Sequence, residues 1–246
     1  MNAEIKTAVI LAAGVGSRLE DVINDRPKSF LEIHNETLIE RSIRLLISQG
    51  ISDIIIGTGH EDKYFERLKP RYPQVTTSIN ADYRHTGSMF TLYLLKDLIK
   101  NHFLLLESDL LYERKALEYL LLDERENIIL ASEETRSGDE VFIQVTDQGH
   151  LANMSKNKID LEEVSGELVG ISKISPDTLT QMCSCAKESF RIGERQIHYE
   201  HSLVAISRKV RLWVKVIKDL AWCEIDDEKH LQRARELIYP KILQRD

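Results

Sequence analysis

Apolar residues in the first half of this chain come in short runs without a helical period. Ala8, Val9, Ile10 and Leu11 form one, and residues 53–57, 75–79 and 103–109 hold others. A run of this length with no polar face reads as a strand buried on both sides. Amphipathic segments lie between the runs. Residues 36–49 carry Leu38, Ile39, Ile43, Leu45 and Leu46 and are closed by Gly50, the pattern of a helix with a glycine stop. Residues 63–68 read as a short helix, and 87–99 as a longer one with Met89, Leu92, Leu94, Leu95 and Leu98 inward. Buried strands alternating with amphipathic helices specify an α/β fold, a Rossmann-like and predominantly parallel sheet with helices on both faces. Ligands of such sheets bind beyond the carboxyl ends of the strands.

The run 8–11 leads straight into Ala12, Ala13, Gly14, Val15, Gly16, Ser17 and Arg18, with Arg26-Pro27-Lys28 soon after. Glycine permits positive φ and lets a ligand approach the backbone. Successive amides in such a turn form an anion-binding concavity, and Arg18 and Lys28 add two positive charges at its mouth. The loop therefore reads as a phosphate site. It is neither of two better-known phosphate loops. No Gly-Lys-Ser/Thr follows at P-loop spacing, and Leu19 stands where the dinucleotide fingerprint needs its third glycine.

Carboxylates supply a second signal. The strand 103–109 ends in an acid, Asp109, with Glu107 pointing the same way two residues earlier. In the stretch Trp222-Cys223-Glu224-Ile225-Asp226-Asp227, extended backbone puts Glu224 and Asp226 on one side and Ile225 on the other. Two carboxylates side by side repel each other unless a cation lies between them. A magnesium ion prefers one or two carboxylates together with phosphate oxygens and water. Asp227 is expected to cap the closing helix.

From about residue 127 the texture changes. Residues 128–131, 141–145, 150–155 and 168–174 are short strand-like pieces, expected as a small antiparallel extension on the acceptor side. Residues 177–190 and 200–206 read as helices, 210–217 as a strand, and 226–238 as a closing helix with Leu231, Ala234, Leu237 and Ile238 inward. No linker, repeat or low-complexity tract interrupts the chain, so residues 1–246 are expected to form a single domain. The net charge of −7 and the absence of a basic block argue against a nucleic-acid partner. No run approaches the ~18 apolar residues of a membrane span. With no signal-peptide pattern, and with Cys183, Cys185 and Cys223 expected as free thiols, a cytoplasmic setting is expected.

The run from Leu11 to Arg18, followed by Arg26-Pro27-Lys28, resembles the L-A-A-G-x-G-[ST]-R and K-P-K signature of nucleotidyltransferases that activate phospho-compounds with a nucleoside triphosphate. Arginine replaces lysine at the first basic position. The resemblance implies that Ala12, Ala13, Gly14, Gly16, Ser17 and Arg18 wrap the nucleotide, and that Arg18 and Lys28 neutralise its triphosphate. It also implies that Asp109, Glu224 and Asp226 hold Mg²⁺, so that Arg18, Lys28 and Asp109 carry the catalysis. The Glu-Ile-Asp order at 224–226 and the helix opening at Thr86-Gly87-Ser88 are similar to the small cytidylyltransferases acting on phosphocholine or 2-aminoethylphosphonate. That branch implies CTP as co-substrate, with Thr86, Gly87 and Ser88 reading base and ribose.

Asp139, Glu167 and Glu200, with Tyr199 as the main aromatic, are expected to face the acceptor. Carboxylates and hydroxyls suit a primary ammonium, which donates three hydrogen bonds; a quaternary ammonium calls for an aromatic cage. Lys156 is expected to pair with the acceptor's phosphonate. The expected reaction is in-line attack of 2-aminoethylphosphonate on the α-phosphate of CTP, giving CMP-2-aminoethylphosphonate and pyrophosphate. Phosphocholine, giving CDP-choline, is the first alternative. A sugar-1-phosphate nucleotidyltransferase and a catalytically inactive nucleotide-binding relative follow. The expected partners are CTP and a small zwitterionic phosphonate or phosphate ester, with no nucleic acid and no membrane. A homodimer, or fusion to a downstream enzyme domain, is compatible with the sequence.

Overall fold

The computed structural model describes residues 4–19 and 25–246. Its frame is a nine-stranded sheet. Strand β1 (Thr7–Ala12) lies at the centre. The short β2 (Glu32–Ile33) and β3 (Glu36–Thr37) pair with each other and lead into helix α1 (Leu38–Ser48). Strand β4 (Asp53–Thr58), helix α2 (Lys63–Glu66), strand β5 (Val75–Ile79) and helix α3 (Ser88–Leu95) follow. Next come β6 (Phe103–Glu107), β7 (Leu110–Tyr112) and α4 (Lys115–Leu121). Strands β8 (Ile128–Ser132), β9 (Phe142–Val145), β10 (Leu151–Ser155) and β11 (Gly166–Ile174) extend the sheet. Helices α5 (Pro176–Arg191) and α6 (Tyr199–Ile206), strands β12 (Trp213–Ile217) and β13 (Trp222–Glu224), and helix α7 (Glu228–Arg233) complete all but the last turns. A π-helical turn at Ala234–Ile238 joins α7 to α8 (Tyr239–Leu243).

The main path runs β10-β9-β11-β6-β1-β4-β5, with β8 on β11 and β12 on β8. Strands β6, β1, β4 and β5 are parallel, while β11 is antiparallel to β6, β8 and β9. This is the mostly parallel sheet with an antiparallel extension that the apolar runs predicted. Because side chains alternate across a strand, Ala8, Ile10, Leu104 and Leu106 face α1 and α4, whereas Val9, Leu11 and Leu105 face α3, α5 and α6. Register then fixes the site. Leu11 sits opposite both Gly57 and Glu107, so β1, β4 and β6 end at one level.

Several predicted details are corrected. Leu94, Leu98 and Leu237 are 39%, 46% and 63% exposed rather than inward. Met89, Leu92 and Leu95, spaced by three, already form the buried stripe of α3, which ends before Leu98. The helix expected from 36 starts at Leu38, because Glu36 and Thr37 pair as β3 and the Thr37 hydroxyl accepts from the Glu40 amide at 3.2 Å. The closing helix begins after Asp227, whose carboxylate accepts from the His230 amide at 2.8 Å. It then loosens into the π turn before Pro240, which has no amide hydrogen to continue the ladder. Helix α4 and strand β7 were not anticipated. The three cysteines are free thiols, and among the described residues no helix is long and apolar enough to cross a membrane.

Candidate active site

A crevice of about 320 Å³ opens at the carboxyl ends of β1 and β6, lined by Ala12, Gly14, Lys28, Gly87, Asp109 and Glu200 among others. Past Ala12 the backbone leaves the sheet, and Gly16 takes φ +70°. A Cβ at Gly16 would stand 3.0 Å from the Lys28 Cβ, whereas one at Gly14 would meet nothing within 4 Å. Gly16 is therefore demanded by the fold, and Gly14 leaves open space in the crevice. Ala13 also lines it, while the Ser17 side chain lies outside the described residues.

Lys28 enters from a short 3₁₀ turn after Pro27, and its side chain is only 14% exposed. Its ammonium pairs with Asp109 and, at 2.6 Å, with Asp226. Burial alone would lower its pKa, but the charges of Asp109, Asp226 and Glu224 outweigh that and raise it, so Lys28 stays charged. Arg18 reaches Asp139 at 2.8 Å and Asp226 at 3.0 Å.

Among the described residues, Glu107, Asp109 and Glu224 can offer one oxygen each, all within 4.8 Å of one another. Sequence reasoning ranked Asp109 above Glu107 and paired Glu224 with Asp226. The structure brings all four to one place but commits an Asp226 oxygen to Lys28 and Arg18. The alternation signal that found Glu224 and Asp226 also contained Glu107, two residues before Asp109. Burial, followed by the charges of Asp109 and Glu200, pushes Glu107 up to about 8. Burial and the charges of Asp109, Glu107 and Asp226 push Glu224 well above the carboxylate range. Asp226 moves the other way, to about 2: burial opposes ionisation, but Lys28 prevails. Asp109 Oδ1 and Glu200 Oε2 are buried acceptors without a donor. Crowded carboxylates that resist ionisation, with acceptors left unsatisfied, are the donor set a hard divalent cation fits.

The start of α3, where the sequence leads one to expect the nucleoside, forms one wall of the crevice. The Thr86 hydroxyl accepts from Asn80 Nδ2 at 2.9 Å and donates to the Asp82 carbonyl at 2.9 Å. A Cβ on Gly87 would lie 2.2 Å from the Ile197 carbonyl oxygen. Gly87→Ala should therefore force apart the segments that form this wall. We expect a loss of about 1–3 kcal/mol, the usual range for overpacking, in chemical denaturation, together with weaker CTP binding in titration calorimetry. Ser88 Oγ accepts from the Tyr199 amide at 3.1 Å.

A second cavity of about 30 Å³ adjoins the crevice, sharing Glu107, Val141 and Glu224 and adding Asp139, Glu140, Glu167 and Trp222. Glu167 is 3% exposed, accepts from the Thr135 amide at 2.5 Å and hydroxyl at 3.0 Å, and is raised by burial to about 7. Lys156 lines the crevice with its ammonium 2.6 Å from Asp139. Tyr199 is corrected: it lines neither cavity, is 1% exposed, and its hydroxyl donates to Glu107 Oε1 at 2.7 Å. An aromatic opening a helix gave no sign of which way its ring would turn.

Residues 8–169 match the family described as MobA-like NTP transferase domain. The choline-phosphate cytidylyltransferase of Streptococcus pneumoniae is 36% identical over 98 residues, covering 40% of this chain and 42% of that protein. The 2-aminoethylphosphonate cytidylyltransferase of Lancefieldella rimae is 29% identical over 99 residues, 40% of each chain. In both, the match spans less than half of the relative's length. The CTP:phosphoglutamine cytidylyltransferase of Campylobacter jejuni is 24% identical over 245 residues, covering 89% of this chain and 95% of that one. In fold, the inositol-1-phosphate CTP transferase of T. maritima superposes with a TM-score of 0.83 at 19% identity, covering 100% of this chain and 99% of the other.

Proposed function

Because the chain belongs to the MobA-like NTP transferase family, we propose that it is a cytidylyltransferase, residues 1–246 acting as one domain. It moves CMP from CTP to a small phosphonate or phosphate monoester bearing a primary ammonium, 2-aminoethylphosphonate being the acceptor that fits best. The carboxylate-lined cavity beside the crevice carries this reading. Asp139, Glu140 and Glu167 suit an ammonium with three N–H donors. Among the described residues the cavity's aromatic is Trp222, itself 3% exposed, which is no cage for a quaternary ammonium. Phosphocholine is the second reading, favoured by the pneumococcal relative.

In the proposed reaction a phosphonate oxygen of the acceptor attacks the α-phosphorus of CTP in line, and pyrophosphate departs. The nucleophile is already an anion, so this chain need supply no general base. Its residues position and neutralise. The amides of 12–16 and Arg18 bind the triphosphate, Lys28 opposes the charge that builds on the departing pyrophosphate, and Thr86, Gly87 and Ser88 hold the nucleoside. Asp109 and Glu224, with Glu107 and Asp226 beside them, would hold Mg²⁺. When bound there, the ion would add positive charge against the reacting phosphate oxygens. Lys156 would meet the acceptor's phosphonate in place of Asp139.

Pyrophosphate release tests the reading. CTP, UTP, ATP and dTTP are each offered with 2-aminoethylphosphonate, phosphoethanolamine, phosphocholine and sugar phosphates. We expect CTP with 2-aminoethylphosphonate to give the highest kcat/KM; preference for a sugar phosphate, or no turnover of CTP, overturns it. A pH signature accompanies it. Glu167 must be ionised to hold an ammonium, and burial raises it to about 7. Acceptor KM should therefore fall as pH rises through about 7. In Glu167→Gln, KM should match wild type below about 7, where Glu167 is neutral, and exceed it increasingly above.

A further inference from the structure

We infer that Tyr199 is a positioning residue: it aims Glu107 into the carboxylate cluster and ties that cluster to the nucleoside end of the crevice. Glu107 closes strand β6 and sits at the rim of both cavities. Its carboxylate is seated from two sides. At Oε1 it accepts from the Tyr199 hydroxyl at 2.7 Å. At Oε2 it faces Gly170, where φ is +80° and a Cβ would intrude to 2.9 Å. Tyr199 is fixed in turn. Its ring is fully buried, and its amide donates to Ser88 Oγ at 3.1 Å. The preceding residues are zipped to the same helix start, the Gly87 amide donating to the Arg195 carbonyl at 2.9 Å and the Met89 amide to the Ile197 carbonyl at 3.3 Å. A continuous path of short contacts thus runs from the wall where the nucleoside is proposed to bind, through the Tyr199 ring, to a carboxylate of the cluster. A phenylalanine would fill the same volume. What the hydroxyl adds is a hydrogen bond that fixes one rotamer of Glu107. Partners of this kind behind a metal-ligating carboxylate typically govern metal affinity or activity by about 10–100-fold.

The inference rests on the reading of Glu107, Asp109 and Glu224 as a divalent-cation site, and the test separates the two. Mn²⁺ alone is titrated into the purified protein and free ion is followed by electron paramagnetic resonance. Tyr199→Phe should weaken Mn²⁺ binding by about tenfold or more, while in a Glu107→Gln background the same change should alter it by less than about twofold. Ser88→Ala, which keeps the Tyr199 hydroxyl but removes the acceptor that anchors its amide and so loosens the ring's placement, should weaken it by about fivefold, the share of one ordinary hydrogen bond. This variant decides the matter if Tyr199→Phe does not fold. If Tyr199→Phe or Ser88→Ala binds Mn²⁺ as wild type does while Asp109→Asn does not bind it, the positioning role is wrong and the cation site stands. If Asp109→Asn binds as wild type does, or wild type does not bind, the cation site fails and the inference falls with it.

Discussion

Asp109→Asn is expected to reduce kcat/KM for CTP by about 10²–10³, the usual consequence of removing one preorganised charge contact from a transition state. The change keeps the shape of the side chain. The Asp109 backbone carbonyl would still accept from the Ile225 amide at 3.1 Å, so the β7–β13 end of the site keeps its frame. The amide loses the charge that pairs with Lys28 and turns one of the two carboxylate oxygens into an NH2 donor, which can neither accept from that ammonium nor bind a cation. Pyrophosphate release at saturating acceptor, with far-ultraviolet circular dichroism to confirm folding, measures it. Turnover near the wild-type value would remove Asp109 from the reaction. Asp226→Asn is the informative comparison. If Asp226 serves Lys28 and Arg18 rather than the cation, that variant should bind Mn²⁺ more nearly as wild type does and lose turnover through the triphosphate contacts.

Which of these residues were legible in the sequence follows from how local their signals are. The glycine loop and Asp109 lie at the ends of apolar runs, where short-range pattern places them at strand ends, and Lys28 was marked by the Arg-Pro-Lys motif that opens a 3₁₀ turn. Glu224 and Asp226 were readable because extended backbone alternates: Cys223 and Ile225 are buried in the C-terminal core while their neighbours face the second cavity. The role of Glu107 was not readable. Its seat depends on Gly170 of β11 and Tyr199 of α6, both brought in by long-range packing. The pairing of Asp139 with Arg18 and Lys156 is of the same kind, three charges from distant segments that look like independent surface groups in the sequence. Parallel strands were read from short apolar runs alternating with amphipathic segments, whereas the exposure of Leu94 and Leu237 depended on how many faces of each helix find a partner.

Lys28→Met should produce a larger structural effect than any single acid replacement, because it removes the cation that several buried carboxylates share. The side chains of Asp109 and Asp226 are 13% and 7% exposed, and Glu224 lies beside them. Breaking one partner out of a buried ion pair costs about 3–5 kcal/mol; Arg18 stays 3.0 Å from Asp226, so Asp109 is the carboxylate left without a counter-charge. The thermal midpoint in a chelating buffer should fall accordingly, and added Mg²⁺ should recover more of it in the variant than in wild type, because a ligand that binds only the folded state stabilises by mass action. The pH dependence has a definite sign. Lys28 holds Asp226 at about 2, below its ordinary 3.8, so this pair stabilises the fold above 3.8 and that contribution is lost as pH falls through about 2. The raised pKa of Lys28 keeps the contribution present below 10.5. The gap in midpoint between wild type and variant should therefore be full near neutrality and narrow as the solution is acidified through that lower window. Turnover of CTP should drop by about 10²–10³ as well, since the same ammonium is the group proposed to meet the departing pyrophosphate. A variant whose midpoint is unchanged in chelator, at neutral as at acid pH, would mean that Lys28 does not balance these carboxylates, and the arrangement of charge at the head of β1 and β6 would need another explanation.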